Sequence, residues 1–84
     1  MIRVFFFARL REELGVGEVE LNWQPQLQRI RDIISLLEEQ HDAAFAQRLL
    51  DVKTIVACNH EVVNTEATVK DGDEIAFYPP VTGG

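Results

Sequence analysis

The chain has 84 residues and a mass of 9.6 kDa, which allows one small domain and excludes a second hydrophobic core. Eight Lys and Arg against 14 Asp and Glu give a net charge of −6. Because a phosphate backbone or an anionic lipid surface repels such a chain, we expect neither a nucleic-acid nor a membrane partner. The single cysteine, Cys58, cannot close an intramolecular disulfide, and the longest apolar run has five residues. We therefore expect a cytoplasmic protein with neither a leader nor a membrane span.

The first predicted strand is Ile2–Phe7, which is rich in β-branched and aromatic residues. Alternation places every second residue from Ile2 on one face of this strand and puts Phe5 and Phe7 on the other. Both faces then carry large apolar groups. One face is expected to join the core, and the other must be covered either by a helix or by another protein.

Two short elements are predicted next. Ala8–Leu14 fits about two turns of helix, and Gly15 follows where a helix-ending glycine belongs. Glu18–Trp23 alternates apolar and polar residues, which is typical of a strand with one buried face. The first two strands therefore form a hairpin-like unit with a short helical connection.

Two more helices are predicted in the middle of the chain. The main helix begins at Pro25, whose missing N–H is harmless at a first helical position, and its apolar stripe runs from Leu27 to a helix end near Glu39. Asp42 is the predicted N-cap of a second helix, which runs through Leu50.

The remaining strands lie toward the end of the chain. A hairpin is predicted with strands at Thr54–Cys58 and Glu61–Asn64, and it turns at Asn59 and His60. The last strand, Glu74–Tyr78, follows a turn that contains a glycine and ends at two prolines, which cannot donate to a sheet. This order of elements predicts a two-layer α+β domain.

The interior of the sequence contains no constellation for catalysis or metal binding. His41 and His60 have no other ligands at zinc spacing, so both are expected to be surface or turn residues. Cys58 lies in an apolar stretch, where a buried thiol behaves as a small hydrophobe. No phosphate-binding glycine motif and no serine nucleophile motif occur. We therefore expect no metal site and no active site contained wholly in this domain.

The C-terminal residues carry the strongest functional signal. Gly83 and Gly84 lack Cβ atoms, so the final carboxylate can thread a channel too narrow for any other residue. The prolines before them stiffen the segment, and six residues from Pro79 can reach about 20 Å beyond the last strand. We expect a domain at residues 1–80 and a flexible tail at residues 81–84 that presents its carboxylate to another protein.

Two parts of the sequence carry a resemblance to a known family. They are Phe5–Ala8 with Arg11-Glu12 and Gly15 after it, and the last fourteen residues, Asp71–Gly84. Together they resemble the small, sulfur-carrier subunit of molybdopterin synthase over the whole chain. The resemblance implies a ubiquitin-like β-grasp fold, with a mixed sheet, the first and last strands adjacent at its centre, and one main helix packed on one face.

The resemblance also implies a chemistry for the tail. A ubiquitin-activating-like adenylyltransferase would use ATP to adenylate Gly84, which converts a poor acyl donor into one with a good leaving group. Sulfur from a persulfide donor would replace the nucleotide and leave a thiocarboxylate. That sulfur would pass to cyclic pyranopterin monophosphate in the active site of the large subunit and build the dithiolene that holds molybdenum. The small subunit would bind no cofactor directly and would be the sulfur-donating part of a sulfurtransferase, not an enzyme on its own.

The resemblance assigns roles to two groups of residues. Those that would enter the large subunit ahead of Gly84 are Pro80, Val81, Thr82 and Gly83. Those that would dock against it are Phe7, Val62 and Tyr78, and we expect Phe5, on the same face of the first strand as Phe7, to join them. The implied assembly has two small and two large subunits. Packing beneath the short helix remains the alternative for Phe5 and Phe7.

Two other interpretations stay open. The same tail chemistry could deliver sulfur to another pathway, such as thiamine synthesis or tRNA thiolation. A different class of function is a ubiquitin-like modifier that forms isopeptide bonds, or a β-grasp interaction module whose tail is inert. The approach Pro79–Thr82 and the pair of Phe7 and Tyr78 favour the molybdopterin pathway.

Overall fold

The computed structural model describes residues 1–80, which form a single sheet and three helices. The elements are β1 (Ile2–Phe6), α1 (Ala8–Leu14), β2 (Glu18–Leu21), α2 (Ile30–Gln40), α3 (Ala43–Leu50), β3 (Ile55–Cys58), β4 (Glu61–Val63) and β5 (Glu74–Tyr78). Within these 80 residues no helix is both long and apolar enough to cross a membrane. The expectation of a flexible tail falls on residues 81–84, which lie outside the described part of the chain.

The sheet has the strand order β2-β1-β5-β3-β4. β1 runs parallel to β5, with Val4 opposite Ile75 and Phe6 opposite Phe77, and every other neighbouring pair is antiparallel. The first and last strands are therefore adjacent at the centre of a mixed sheet, which confirms the predicted β-grasp topology. Because the two central strands are parallel, their carboxyl ends meet at the same edge of the sheet.

The hydrophobic core lies between one face of this sheet and the helices. Alternate residues of β1 and β5 are almost fully buried there, as alternation predicts, and α2 and α3 cover them with Ile33, Leu37 and Phe45. The Phe6 ring stacks on Phe77 at 5.9 Å and meets Phe45 edge-on at 5.5 Å. Aromatic pairs of this kind add to the stabilisation from burial.

Both short helices have the predicted bounds and ends. Gly15 adopts a left-handed conformation, with φ of 74°, and its N–H donates to the carbonyl of Arg11. Asp42 caps α3 by accepting a hydrogen bond of 2.8 Å from the backbone N–H of Phe45. Both are local signals that act within a few residues, which explains why the sequence alone predicts them.

The predicted start of the main helix is wrong by five residues. Pro25 lies in a turn, in which the N–H of Leu27 donates to the carbonyl of Gln24, and α2 begins only at Ile30. The Asp32 carboxylate accepts hydrogen bonds from the backbone N–H groups of Gln28 and Arg29 and so fixes the helix start there. Leu27 is buried although it lies in the turn before α2, so it extends the apolar stripe without being part of the helix.

Several strands are shorter than predicted. β2 ends at Leu21, not at Trp23, because Leu21 already pairs with Ile2 at the start of β1 and no partner remains for the next residues. Trp23 is 40% exposed as a result. β1, β3 and β4 are each one residue shorter at one end, whereas β5 has the predicted bounds.

A buried carboxylate ties three parts of the sheet together. Asp73 is 5% exposed and accepts hydrogen bonds from the backbone N–H of Lys70 at 2.9 Å and from the side-chain amide of Asn59 at 3.0 Å. Its backbone carbonyl accepts from the N–H of Arg3 at 3.2 Å. The turn after β3, the turn before β5 and the start of β1 are therefore held by one residue.

Replacing Asp73 by Ala should lower the free energy of unfolding by about 1.5–3 kcal/mol, because the part-buried hydrogen bonds from Lys70 and Asn59 lose their charged acceptor. Urea denaturation measures the effect. Asp71→Ala is the matched control, since the Asp71 side chain is exposed and forms a surface ion pair with the amino group of Met1, and it should cost less than about 1 kcal/mol. Equal losses in the two variants would contradict this role for the buried carboxylate.

Candidate functional site

The face of the sheet opposite the core, here called the open face, carries one continuous row of apolar residues. Phe5 of β1 lies opposite Ala76 of β5, Ala76 lies opposite Ala57 of β3, and Ala57 lies opposite Val62 of β4. The row therefore crosses four strands. No helix within residues 1–80 covers it, and Val62 is 76% exposed.

Three aromatic rings stand at one end of this row and form what we call the aromatic wall, made of Phe5, Phe7 and Tyr78. The rings of Phe7 and Tyr78 stack 4.9 Å apart and nearly parallel, at 8°. The rings of Phe5 and Phe7 lie 6.3 Å apart at 21°. The structure therefore brings together the predicted docking residues of the first and last strands. Phe7 is 39% exposed and so is not buried in a second core under α1, whereas Phe5 is half-buried.

The backbone around Phe7 is held in place on both sides. Its N–H donates to the carbonyl of Phe77, and its carbonyl accepts from the N–H of Leu10 in α1. The next residue, Ala8, is left-handed, with φ of 52°. This conformation is unfavourable for a residue with a Cβ atom. It ends β1 one residue before the predicted boundary and turns the chain directly into α1.

The wall borders a recess of about 130 Å³ on the open face. Ala57 and Ala76 belong to its lining, and His60 and Glu74 complete the side opposite the wall. Sequence reasoning missed Ala57, Ala76 and His60 as site residues. Alternation does place Ala76 on the outer face of β5, but only the order of the strands shows that Ala76 and Ala57 become neighbours.

The hairpin turn that carries His60 is strained. Asn59 and His60 are both left-handed, with φ of 50° and 72°, as the predicted two-residue turn requires. Asn59 tolerates this conformation, whereas glycine is the usual residue at the second position. The side chain of Asn59 stabilises the turn by accepting from the N–H of Glu74 at 3.0 Å.

Residues Pro79 and Pro80 lie just beyond Tyr78, at the edge where the aromatic wall stands. They border a second recess, of about 170 Å³, between α1 and α3. The charges around it are mixed, and Arg48 pairs there with Glu13. The predicted tail residues Val81, Thr82, Gly83 and Gly84 lie outside the described residues, whereas Pro80 is the last residue that the structure describes.

Cys58 is partly buried against the core, which agrees with its predicted packing role. Its Sγ lies 3.6 Å from Oδ2 of Asp73. Burial and, as the next largest cause, the neighbouring Asp73 carboxylate together raise the pKa of the Cys58 thiol to about 11. The thiol is therefore protonated at neutral pH and is a poor nucleophile.

The chain matches the model of the ThiS family over residues 4–84. It belongs to the ThiS family. Two relatives are each 39% identical to it, and each match covers 100% of both chains. They are the molybdopterin synthase sulfur carrier subunits of Escherichia coli strain K12 and of Haemophilus influenzae. The family resemblance seen in the sequence is confirmed.

The fold of this ThiS family member is also found in solved structures. The crystal structure of SAMP1 from Haloferax volcanii superimposes with a TM-score of 0.80 at 26% identity, and the match covers 99% of this chain and 98% of that one. Full-length coverage in both directions indicates that the whole β-grasp domain is shared.

The raised pKa of Cys58 predicts slow alkylation. At pH 8 the native chain should hold roughly 100-fold less thiolate than a cysteine with a pKa of 9.0, so iodoacetamide should modify it correspondingly slowly. Mass spectrometry over time measures the rate. The chain unfolded in urea is the control and should react at the ordinary rate. A native rate equal to the unfolded rate would show that neither burial nor Asp73 suppresses the thiolate.

Proposed function

We propose that this protein is a sulfur carrier in molybdenum cofactor biosynthesis and the small subunit of a molybdopterin synthase. The observation that carries the proposal is the 39% identity, over full length, to two sulfur carrier subunits of that enzyme. The geometry of the open face supports it, because an exposed aromatic wall stands at the edge from which the tail leaves the domain.

The proposed chemistry resides in Gly84. An adenylyltransferase uses ATP to convert its carboxylate into an acyl adenylate and releases pyrophosphate. The outer sulfur of a persulfide displaces AMP and forms an acyl disulfide, and a second thiol then cleaves the S–S bond, which leaves the thiocarboxylate on Gly84 and a disulfide on the donor. The thiocarboxylate sulfur then attacks cyclic pyranopterin monophosphate in the active site of the large subunit, and water hydrolyses the resulting thioester, which leaves the sulfur on the pterin and restores the carboxylate of Gly84. Two such deliveries complete the dithiolene.

The proposed partner is the large subunit of the synthase, in an assembly of two small and two large subunits. Its contact surface on this chain is the aromatic wall with Val62, and the tail enters its active site. The net charge of −6 suits such a partner, because a pocket that binds the phosphate of a pterin substrate is basic. The same charge suits an activating enzyme that binds ATP.

Deleting Gly84 should abolish sulfur transfer and leave the domain folded, because the reacting carboxylate is then one residue short. The assay combines the protein with its adenylyltransferase, a persulfide donor, the large subunit and the pterin substrate, and it measures molybdopterin. Glu39→Ala, at an exposed position on α2, is the control and should keep full activity. Retained activity after the deletion would contradict the proposal, and a covalent adduct with lysines of other proteins would favour the modifier function instead.

Replacing Phe7 by Asp should weaken binding of the large subunit by about 2–4 kcal/mol, because a charge then interrupts the aromatic wall. Titration calorimetry measures the affinity, and thermal unfolding shows whether the domain is intact. Trp23→Asp is the matched control, since Trp23 is 40% exposed against 39% for Phe7. It follows the end of β2 that lies beside the start of β1, whereas the aromatic wall stands at the other end of β1. Equal affinity in the two variants would contradict docking through the aromatic wall.

A further inference from the structure

The open face contains a depression, because two small side chains lie side by side between larger ones. Across the row, the two inner positions are Ala76 and Ala57, and the two outer positions are Phe5 and Val62. Strand neighbours on one face lie about 5 Å apart, so two adjacent alanines leave a gap between larger side chains. The recess of about 130 Å³ is this gap.

We infer that this recess is a socket for one apolar side chain, of the size of leucine, methionine or phenylalanine, that projects from the large subunit. The inference rests on the proposed function, because the socket lies on the surface proposed to dock that subunit. An apolar cavity on the order of 150 Å³ holds a benzene molecule, so the volume here suits a single side chain and excludes a small cofactor.

The lining of the socket is chemically suited to this occupant. Ala57 is 5% exposed although it lies on the open face, so its methyl group already forms a buried apolar floor. The rings of Phe5, Phe7 and Tyr78 stack on one another and form a wall that is ordered before a partner arrives. A preformed apolar pocket surrounded by further contacts is the usual setting of an interface residue that contributes strongly to affinity.

The rim of the socket indicates what surrounds the projecting side chain. Glu74 lies on one side, and Glu18 and Glu20 lie on the same face of β2. Arg3 shares this face, pairs with Glu18 at 3.4 Å and places its guanidinium 5.2 Å from the centroid of the Phe5 ring, so three carboxylates against one guanidinium leave the rim net negative. An apolar side chain flanked by basic residues therefore complements this surface. His60 closes the far side, and its left-handed backbone, which glycine would adopt at lower cost, places an imidazole there.

Filling the socket tests the inference. Ala76→Leu should weaken binding of the purified large subunit at least tenfold and leave the thermal unfolding midpoint near that of the wild type, because the added side chain points into open space. Ala44→Leu, on the exposed surface of α3, adds the same atoms elsewhere and should bind as the wild type does. Should Ala76→Leu fail to fold, Ala76→Val adds a smaller group and should still weaken binding several-fold.

A scan of the large subunit should identify the occupant. Each exposed apolar residue of the large subunit is replaced by alanine in turn, and one of these variants should bind the wild-type small subunit more weakly. The same variant should bind Ala76→Leu almost as well as the unaltered large subunit does, since both changes remove the same contact. Normal binding by Ala76→Leu together with weak binding by Phe7→Asp would overturn the socket and leave the docking face in place. Normal binding by both variants would overturn the proposed docking itself.

Discussion

The parallel pairing of β1 with β5 is the constraint on which the rest of the structure depends. It joins the two ends of the domain at the centre of the sheet and buries alternate residues of both strands in one core. It also brings the two carboxyl ends to one edge, so Phe7 stacks on Tyr78 beside the point where Pro79 leads out of the sheet. The aromatic wall and the start of the C-terminal segment thus arise from one pairing.

In the proposed function this arrangement lets a small domain take part in catalysis through its last residue. A chain of 84 residues has little interior to spare for a pocket, and its one thiol is held protonated by burial and by Asp73. In the proposed function the reactive group lies outside the core, on Gly84, and the domain supplies recognition. In that function the partners bind the open face, while the chemistry occurs in their own basic pockets.

The sequence predicts those features that depend on local signals or on alternation. Gly15 and Asp42 end and begin helices through contacts a few residues away, and alternation separates Phe7 from the core face of β1. The predicted start of α2 is wrong because a proline at position 25 and a buried leucine at position 27 fit a turn as well as they fit the first turn of a helix. Left-handed Ala8, like the two alanines of the socket, becomes visible only when strand order and register are known.

The central claim is that this domain carries sulfur on its last residue, and the intact mass of the protein tests it most directly. Protein isolated from cells with a working activation pathway should include a species heavier by the difference between one sulfur and one oxygen atom. Fragmentation should place that difference on Gly84, and alkylation of the species should add a group there and not at Cys58. A plain carboxylate on Gly84 in every molecule, with the activating enzyme and sulfur donor active, would contradict the account.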